Sequence, residues 1–286
     1  MKWIAPLLCL GFCASTQFSP CAAAQGGPPF RSDDPDTPGN RNWEINVVLM
    51  GNRNPSEGSY ATPNIDINYG LGNRIQLKYE LPLNIQESRG PSGHVAAGLG
   101  NSLFGLKWRL YSHHPRTEGP DRARKKESNF AVSIYPQLVL SNPTPSVRRE
   151  IVEPGPQFLV PAEANARIGP LRISGEVGYW FTNQDVPSSW IRGLIIGHEF
   201  GNKTELALEF YDEAATRGVD DKDATRQSTL GISCRTPLAR DRSVWFIGMV
   251  GRSLVPVTRT NGQPSWIASL GLQFLTGRRR RHSNDE

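Results

Sequence analysis

The sequence is built from stretches of about ten residues in which apolar and polar residues alternate strictly. The clearest stretch runs from Arg74 to Ile85, where every second residue is Ile, Leu or Tyr and most of the residues between them are Gln, Lys, Glu or Asn. A period of two places successive side chains on opposite faces of a β-strand. Each stretch therefore predicts a strand with one apolar and one polar face.

Twelve such stretches, separated by Gly, Asn, Pro and Asp, follow one another along the chain: 43–51, 60–69, 74–85, 101–111, 130–140, 157–167, 170–181, 190–200, 204–212, 225–235, 242–252 and 265–275. Tilted strands of about 9–11 residues are long enough to cross a bilayer. Bacterial single-chain barrels have an even number of strands. The pattern predicts an all-β fold, a transmembrane antiparallel up-and-down β-barrel of about twelve strands.

The connections between these stretches also alternate in length. Short ones follow the even stretches (70–73, 168–169, 201–203 and 236–241), and longer ones follow the odd stretches (86–100, 141–156, 213–224 and 253–264). Outer-membrane barrels have short periplasmic turns and long outer loops. The connection 112–129 departs from this rule, because it is long and basic on the periplasmic side.

A soluble periplasmic β-sandwich is the main alternative fold, since its strands alternate too. Sandwich strands are usually about 5–6 residues long, however, and Arg74, Lys78 and Glu80 share a strand face, as a wet lumen allows. Stretch 190–200 fits the barrel least well, because Arg192 and His198 fall on its apolar face. Gly (28) and Pro (23) argue against a helical bundle.

The sequence predicts a signal peptide (1–24), a periplasmic N-terminal segment (25–42), the barrel (43–275) and a basic C-terminal tail (276–286). An apolar run follows Lys2, and three alanines precede Gln25, which is the pattern of an exported chain. Export would leave Cys234 as the single cysteine and so exclude an internal disulfide. It also argues against nucleic acid as a partner, although the net charge is +5.

Three acidic residues, Asp33, Asp34 and Asp36, lie in the N-terminal segment. They predict an Asp-Pro turn at the periplasmic mouth. The other interpretation is a plug, formed by residues 25–42 entering the lumen. The cluster lacks the spacing of a calcium loop.

The polar strand faces supply the candidate lumen-lining residues: Asp66, Arg74, Lys78, Glu80, Lys107, Arg109, Arg172, Glu176, Glu205 and Glu209. Their mixed charges predict salt-bridged rows across neighbouring strands, or else a selectivity filter. Eight strands enclose a filled interior and sixteen an open channel, so twelve predict a narrow or gated pore.

Sequence motifs near the N-terminus resemble a known family. Gly27-Pro28-Pro29-Phe30-Arg31-Ser32-Asp33-Asp34-Pro35-Asp36 precedes Trp43-Glu44-Ile45 and the hairpin beginning Asp66-Ile67-Asn68-Tyr69-Gly70-Leu71. This order resembles the bacterial outer-membrane family labelled phenol meta-cleavage-pathway or transporter proteins, although Ser32 and Asp36 stand where that family has Thr and Glu. The resemblance covers roughly residues 27–80. It implies an outer-membrane barrel that passes small, often aromatic, compounds.

Motifs for catalysis or metal binding are weak. His198-Glu199 is followed by Asn202, so the zinc-protease pattern is missing, and His113-His114 has no partner at a suitable spacing. We expect no enzyme activity, no metal and no cofactor. Arg278–Arg281 form either a solvated tail or a contact to anionic lipid.

The predicted function is passive or gated diffusion of small, aromatic or hydrophobic, molecules across the outer membrane of a Gram-negative cell. The expected partners are membrane lipid, the small-molecule solute and the barrel-assembly machinery. Two alternatives remain at this point. One is an outer-membrane lipid-modifying enzyme with a Ser/His pair assembled across strands, and the other is a structural or adhesive barrel acting through loops 86–100 and 213–224.

Overall fold

The structure is a computed structural model that describes residues 29–89, 93–113, 129–182, 187–201, 203–216, 226–255 and 264–276. Its strands are β1 (Trp43–Arg53), β2 (Glu57–Leu71), β3 (Ile75–Ser88), β4 (Val95–Leu99), β5 (Ser102–His113), β6 (Phe130–Ile134), β7 (Gln137–Leu140), β8 (Gln157–Ile168), β9 (Leu171–Phe181), β10 (Ser189–Glu199), β11 (Glu205–Ala215), β12 (Arg226–Pro237), β13 (Val244–Val255) and β14 (Trp266–Thr276). Among the described residues, no helix is both long and apolar enough to span a membrane.

The strands close into one antiparallel barrel, because β1 pairs with both β2 and β14. β4 and β5 both pair with β3, and β6 and β7 both pair with β5 and β8, so each couple forms one interrupted barrel strand. Pro136 lies at the second interruption. A proline has no N–H to donate to a neighbouring strand, so it is tolerated where the hydrogen-bond ladder is broken. The wall therefore has twelve strands, which confirms the predicted fold.

The predicted stretches agree with the barrel strands to within three residues at every end except one. Predicted loop 86–100 is shorter in the structure, because β3 continues to Ser88 and β4 starts at Val95. The sequence Val95-Ala96-Ala97-Gly98-Leu99 consists of small and apolar residues, so it gives no alternation signal.

Large apolar side chains cover the outer surface of the wall, and polar side chains point inward. Aromatic pairs lie near both ends of the barrel, as in the girdles of membrane barrels. Tyr179 contacts Trp190 at a ring-centroid distance of 4.9 Å near one end, and Trp43 contacts Tyr69 at 4.5 Å near the other.

We call the end that carries the short turns 72–74 and 169–170 the periplasmic end, following the general rule for such barrels. The 16-residue connection 141–156 lies at the opposite, outer end. The predicted signal peptide (1–24), most of the basic connection 112–129 and residues 277–286 lie outside the described residues.

Candidate functional site

The lumen wall carries buried ionic rows across neighbouring strands. Lys78 Nζ lies 2.9 Å from Glu80 Oε2 and 3.6 Å from Asp66 Oδ1. The two carboxylates accept further hydrogen bonds from the amides of Asn46 (3.0 Å, to Asp66) and Asn64 (2.8 Å, to Glu80). One ammonium is thus shared between two carboxylates, which satisfies charges that are costly to bury alone.

A second ionic cluster lies on the wall formed by β5, β6 and β8. Lys107 Nζ is 3.4 Å from Glu163 Oε2, and Ser133 Oγ donates a 2.6 Å hydrogen bond to the same oxygen. The Lys107 ammonium also lies 4.6 Å from the centre of the Tyr135 ring, a favourable cation–π distance. These contacts fix Lys107 so that its remaining donors point into the lumen.

Most of the predicted lumen residues lie inside the barrel. Asp66, Lys78, Glu80, Lys107, Arg172, Glu176 and Glu209 are buried on inward-facing positions, and Glu205 and Arg109 are partly buried there. Arg74 is placed elsewhere, because it precedes the first residue of β3 and is exposed in the turn. Its carbonyl oxygen accepts a 2.7 Å hydrogen bond from the backbone N–H of Arg109.

The N-terminal segment from Pro29 to Asp36 lies inside the barrel, bound by its backbone to two lumen carboxylates. The backbone N–H groups of Arg31 and Ser32 donate to Glu209 Oε1 at 2.9 and 2.6 Å. The N–H of Asp33 donates to Glu176 Oε2 at 3.2 Å. Carboxylates that accept backbone N–H groups in this way form the stronger class of hydrogen bond.

The acidic side chains of this segment pair with basic residues of the wall. Asp33 Oδ1 is 2.8 Å from Lys107 Nζ, and Asp34 Oδ2 is 2.7 Å from Arg172 Nη1. Burial raises the pKa of the Asp34 carboxyl, but the charges of Arg172 and Lys107 outweigh it, so this pKa lies below its ordinary value of 3.8. Asp33 and Asp34 therefore bind in the lumen, whereas the turn interpretation placed them at the periplasmic mouth.

Packing contacts extend the segment across the lumen. Phe30 is buried with Ile195 and Ala207, and the Arg31 guanidinium lies 4.1 Å from the centre of the Tyr211 ring. A side-chain carbon at Gly193 would lie 2.6 Å from the Ser32 Cβ, so the close approach requires glycine there. Since the segment contacts β5 and β11, which lie nearly opposite each other in the wall, it spans the lumen from one side to the other.

The outer half of the lumen carries an apolar cluster that the alternation pattern did not reveal: Leu103, Val139, Leu159, Trp180, Ile191 and Tyr211. These residues point inward, where the polar face was expected. The available signal was the pairing of apolar neighbours, such as Leu159-Val160 and Trp180-Phe181, which places an apolar side chain on each face of the strand.

Two polar side chains adjoin this cluster without a hydrogen-bond partner among the described residues. They are the Gln137 amide and the Trp180 indole nitrogen. Both residues are register partners of Leu159, from opposite sides, so one lumen row reads Gln137, Leu159, Trp180. In this row the apolar Leu159 side chain lies between two polar groups. The Gln137 amide offers a free donor and a free acceptor, and the Trp180 indole N–H offers a second free donor.

Within the described part of the chain, no group of three or more His, Cys, Asp or Glu side chains is arranged to hold a metal ion. His113 ends β5 and His198 lies outward near the periplasmic end, 4.7 Å from Phe200 between ring centroids. The partner of His113 in the predicted pair, His114, lies outside the described residues.

No protein-family model matches the chain, and no curated protein is similar enough to count as a relative. The resemblance to the phenol-pathway family thus rests on the residues alone. The fold is similar to that of an outer membrane channel from Pseudomonas putida F1, with 14% identity, 85% of this chain and 98% of that chain covered, and a TM-score of 0.64.

Two further solved structures share the fold at lower similarity. The NanC porin has 7% identity, covers 80% of this chain and 98% of its own, and has a TM-score of 0.55. The translocator domain of autotransporter NalP from Neisseria meningitidis has 8% identity, covers 82% and 87%, and has a TM-score of 0.50. The chain therefore has the fold of the outer-membrane β-barrels, in which channels and porins occur.

Proposed function

We propose that this protein is a gated channel of the outer membrane for small solutes. The observation that carries the proposal is the position of residues 29–36, bound across the lumen by both sides of the wall. A solute that crosses the barrel must pass this segment. The partners of the protein are then the membrane lipid around the barrel and the small solute that binds in the lumen.

The bonds that hold the segment favour a gate over a permanent filling. Residues 29–42 belong to no strand, and the segment is attached by hydrogen bonds and ion pairs to side chains such as Glu209, Lys107 and Arg172. Each hydrogen bond to a charged group contributes about 1.5–3 kcal/mol, and water can replace it when the segment moves. The contacts are numerous enough to close the lumen and individually weak enough to break in turn.

The row of Gln137, Leu159 and Trp180 favours a small aromatic molecule that carries an oxygen as the solute of this channel. The apolar cluster supplies a surface for a ring, as ligand sites generally do. A buried donor without a partner costs about 1–3 kcal/mol. A phenolic hydroxyl oxygen passing the row would give the Trp180 indole N–H the acceptor that it lacks.

The experiment is solute flux through liposomes carrying the protein, with 4-hydroxybenzoate and benzoate as paired solutes. They share the ring and the carboxylate and differ by one hydroxyl. We expect flux above that of empty liposomes, and a preference for 4-hydroxybenzoate that falls several-fold in Trp180→Phe. Trp245→Phe is the matched control, because the Trp245 indole already donates to the Arg242 carbonyl at 2.8 Å.

Three results would count against the proposal. Flux no greater than in empty liposomes, with insertion verified by protease protection, contradicts a channel. Equal flux of both solutes in the wild type contradicts recognition of the hydroxyl oxygen. An equal loss of preference in both tryptophan variants removes the role given to the row.

A further inference from the structure

Arginines project from the outside of the barrel at its outer end, on strand faces that are otherwise apolar. Arg226 is the first residue of β12 and Arg53 the last of β1, whereas Arg192 and Arg252 lie three residues from the outer ends of β10 and β13. We call these four residues the rim arginines. They share their strand faces with exposed residues such as Leu230, Leu49, Leu194 and Val250.

Two of the rim arginines converge on one buried carboxylate. Arg192 Nη1 lies 3.2 Å from Asp212 Oδ2, and Arg226 Nε lies 2.8 Å from Asp212 Oδ1. The arginine side chains are 53% and 57% exposed, whereas that of Asp212 is 2% exposed. Ser228 also donates to this carboxylate at 2.6 Å. The aspartate balances only one of the two charges, and each guanidinium keeps donors directed outward.

The other two rim arginines flank an outward tryptophan. Arg53 and Arg252 are both register partners of Trp266, from its two sides. The Arg252 guanidinium carbon lies 4.8 Å from the centre of the Trp266 ring. Stacking on an aromatic ring leaves the edge of a guanidinium available to hydrogen-bond a planar or tetrahedral anion.

The rim arginines occupy one side of the barrel. On β8 and β9, the outward side chains at the outer end are aromatic, as in Phe158, Tyr179 and Phe181. Charges on a lipid-facing surface are costly at the bilayer midplane and tolerated only near its interface. An arginine row there lies at the depth of lipid headgroups.

We propose that the rim arginines bind the phosphates of a phosphorylated glycolipid in the outer leaflet. Arginine suits this role because its fork binds phosphate through two parallel hydrogen bonds. The residues around Asp212 and those around Trp266 give two basic positions on one lipid-facing side, which fits a headgroup bearing two phosphates. The anomaly of Arg192 on an apolar strand face is thereby explained.

The experiment measures lipid retention on the full-length barrel in zwitterionic micelles by native mass spectrometry. The probes are bisphosphorylated lipid A, its dephosphorylated form and phosphatidylglycerol. We expect lipid A to bind at least tenfold more tightly than either of the others. Arg252→Gln should weaken it roughly tenfold, as the loss of one charged hydrogen bond would. Arg240→Gln, in the exposed periplasmic turn, is the matched control and should change nothing.

Asp212→Asn separates lipid binding from a purely structural pairing. It removes the carboxylate that competes for Arg192 and Arg226, so lipid A should bind more tightly to this variant. Unchanged or weaker binding in Asp212→Asn with an unchanged unfolding temperature would overturn the proposal. Binding of phosphatidylglycerol as tight as that of lipid A would overturn the glycolipid assignment, and so would equal losses in Arg252→Gln and Arg240→Gln.

Discussion

Arg172 on β9 binds Asp34, a residue 138 positions earlier in the chain, with 2.7 Å between Nη1 and Oδ2. Arg172 Nε simultaneously donates to Glu205 Oε1 on β11 at 2.8 Å. One guanidinium therefore joins the N-terminal segment to two strands of the wall. This bridge and its neighbour at Lys107 hold the segment in its position across the lumen.

Gly193→Ala tests the close approach of the segment to β10. The added methyl group would lie 2.6 Å from the Ser32 Cβ, so we expect Ser32 to be displaced and liposome flux of small solutes to rise several-fold. Gly175→Ala is the matched control, because its added carbon meets nothing closer than 3.8 Å. Equal flux in the two variants would contradict a gate at this position.

Asp34→Asn tests the ionic attachment and its pH dependence. At neutral pH the variant lacks the charge that binds Arg172, so its channel should be open more often than that of the wild type. Because the folded-state pKa of Asp34 is lowered, its charge stabilises the closed state above the ordinary value of 3.8 and loses its effect as pH falls through the lower, folded-state pKa.

The corresponding measurement is single-channel conductance of the wild type and Asp34→Asn from pH 7 down to pH 3. The difference between the two proteins should persist through pH 5 and begin to shrink only below the ordinary value of 3.8. A difference that vanishes near pH 6 would show that another group controls the attachment.

The strand pattern could be predicted from sequence because each barrel strand has a mostly apolar outer face and a mostly polar inner face. Alternation in Ile75–Ile85 or Trp266–Phe274 therefore reports both faces at once. The interruption at Pro136 was not predicted, because it changes the pairing of a strand without changing the parity of its side chains. The interruption at Gly100 does shift the parity by one residue, but the small and apolar residues 95–99 before it show no alternation from which the shift could be read.

The site was predicted only in part, for a related physical reason. Residues such as Lys107 and Glu209 could be assigned to the inner face by parity alone. Their partners in residues 29–36 come from a segment without a period, and which carboxylate accepts its N–H groups depends on the closure of the whole barrel. The apolar cluster around Trp180 breaks the alternation rule, and its only sequence signal is the pairing of apolar neighbours such as Trp180-Phe181.

Lys107→Met tests the contribution of the buried ionic cluster to stability. The substitution leaves Glu163 buried without its cation, which costs about 3–5 kcal/mol of unfolding free energy. Lys203→Met breaks a more exposed pair with Glu199 and should cost about 1 kcal/mol or less. Guanidinium unfolding of the detergent-folded barrels measures both. Equal costs would mean that the Lys107 cluster is no more than a solvated pair.

The most direct test of the gated channel is the single-channel conductance of the barrel with residues 25–36 deleted, compared with the full chain. The deletion keeps residues 37–42, whose hydrogen bonds to Gly70 and Asn73 tie the start of β1 to the neighbouring turn. A gate formed by this segment predicts a low, intermittent conductance in the full chain and a higher, steady one after the deletion. The same conductance in both proteins, with barrel insertion verified, would contradict it.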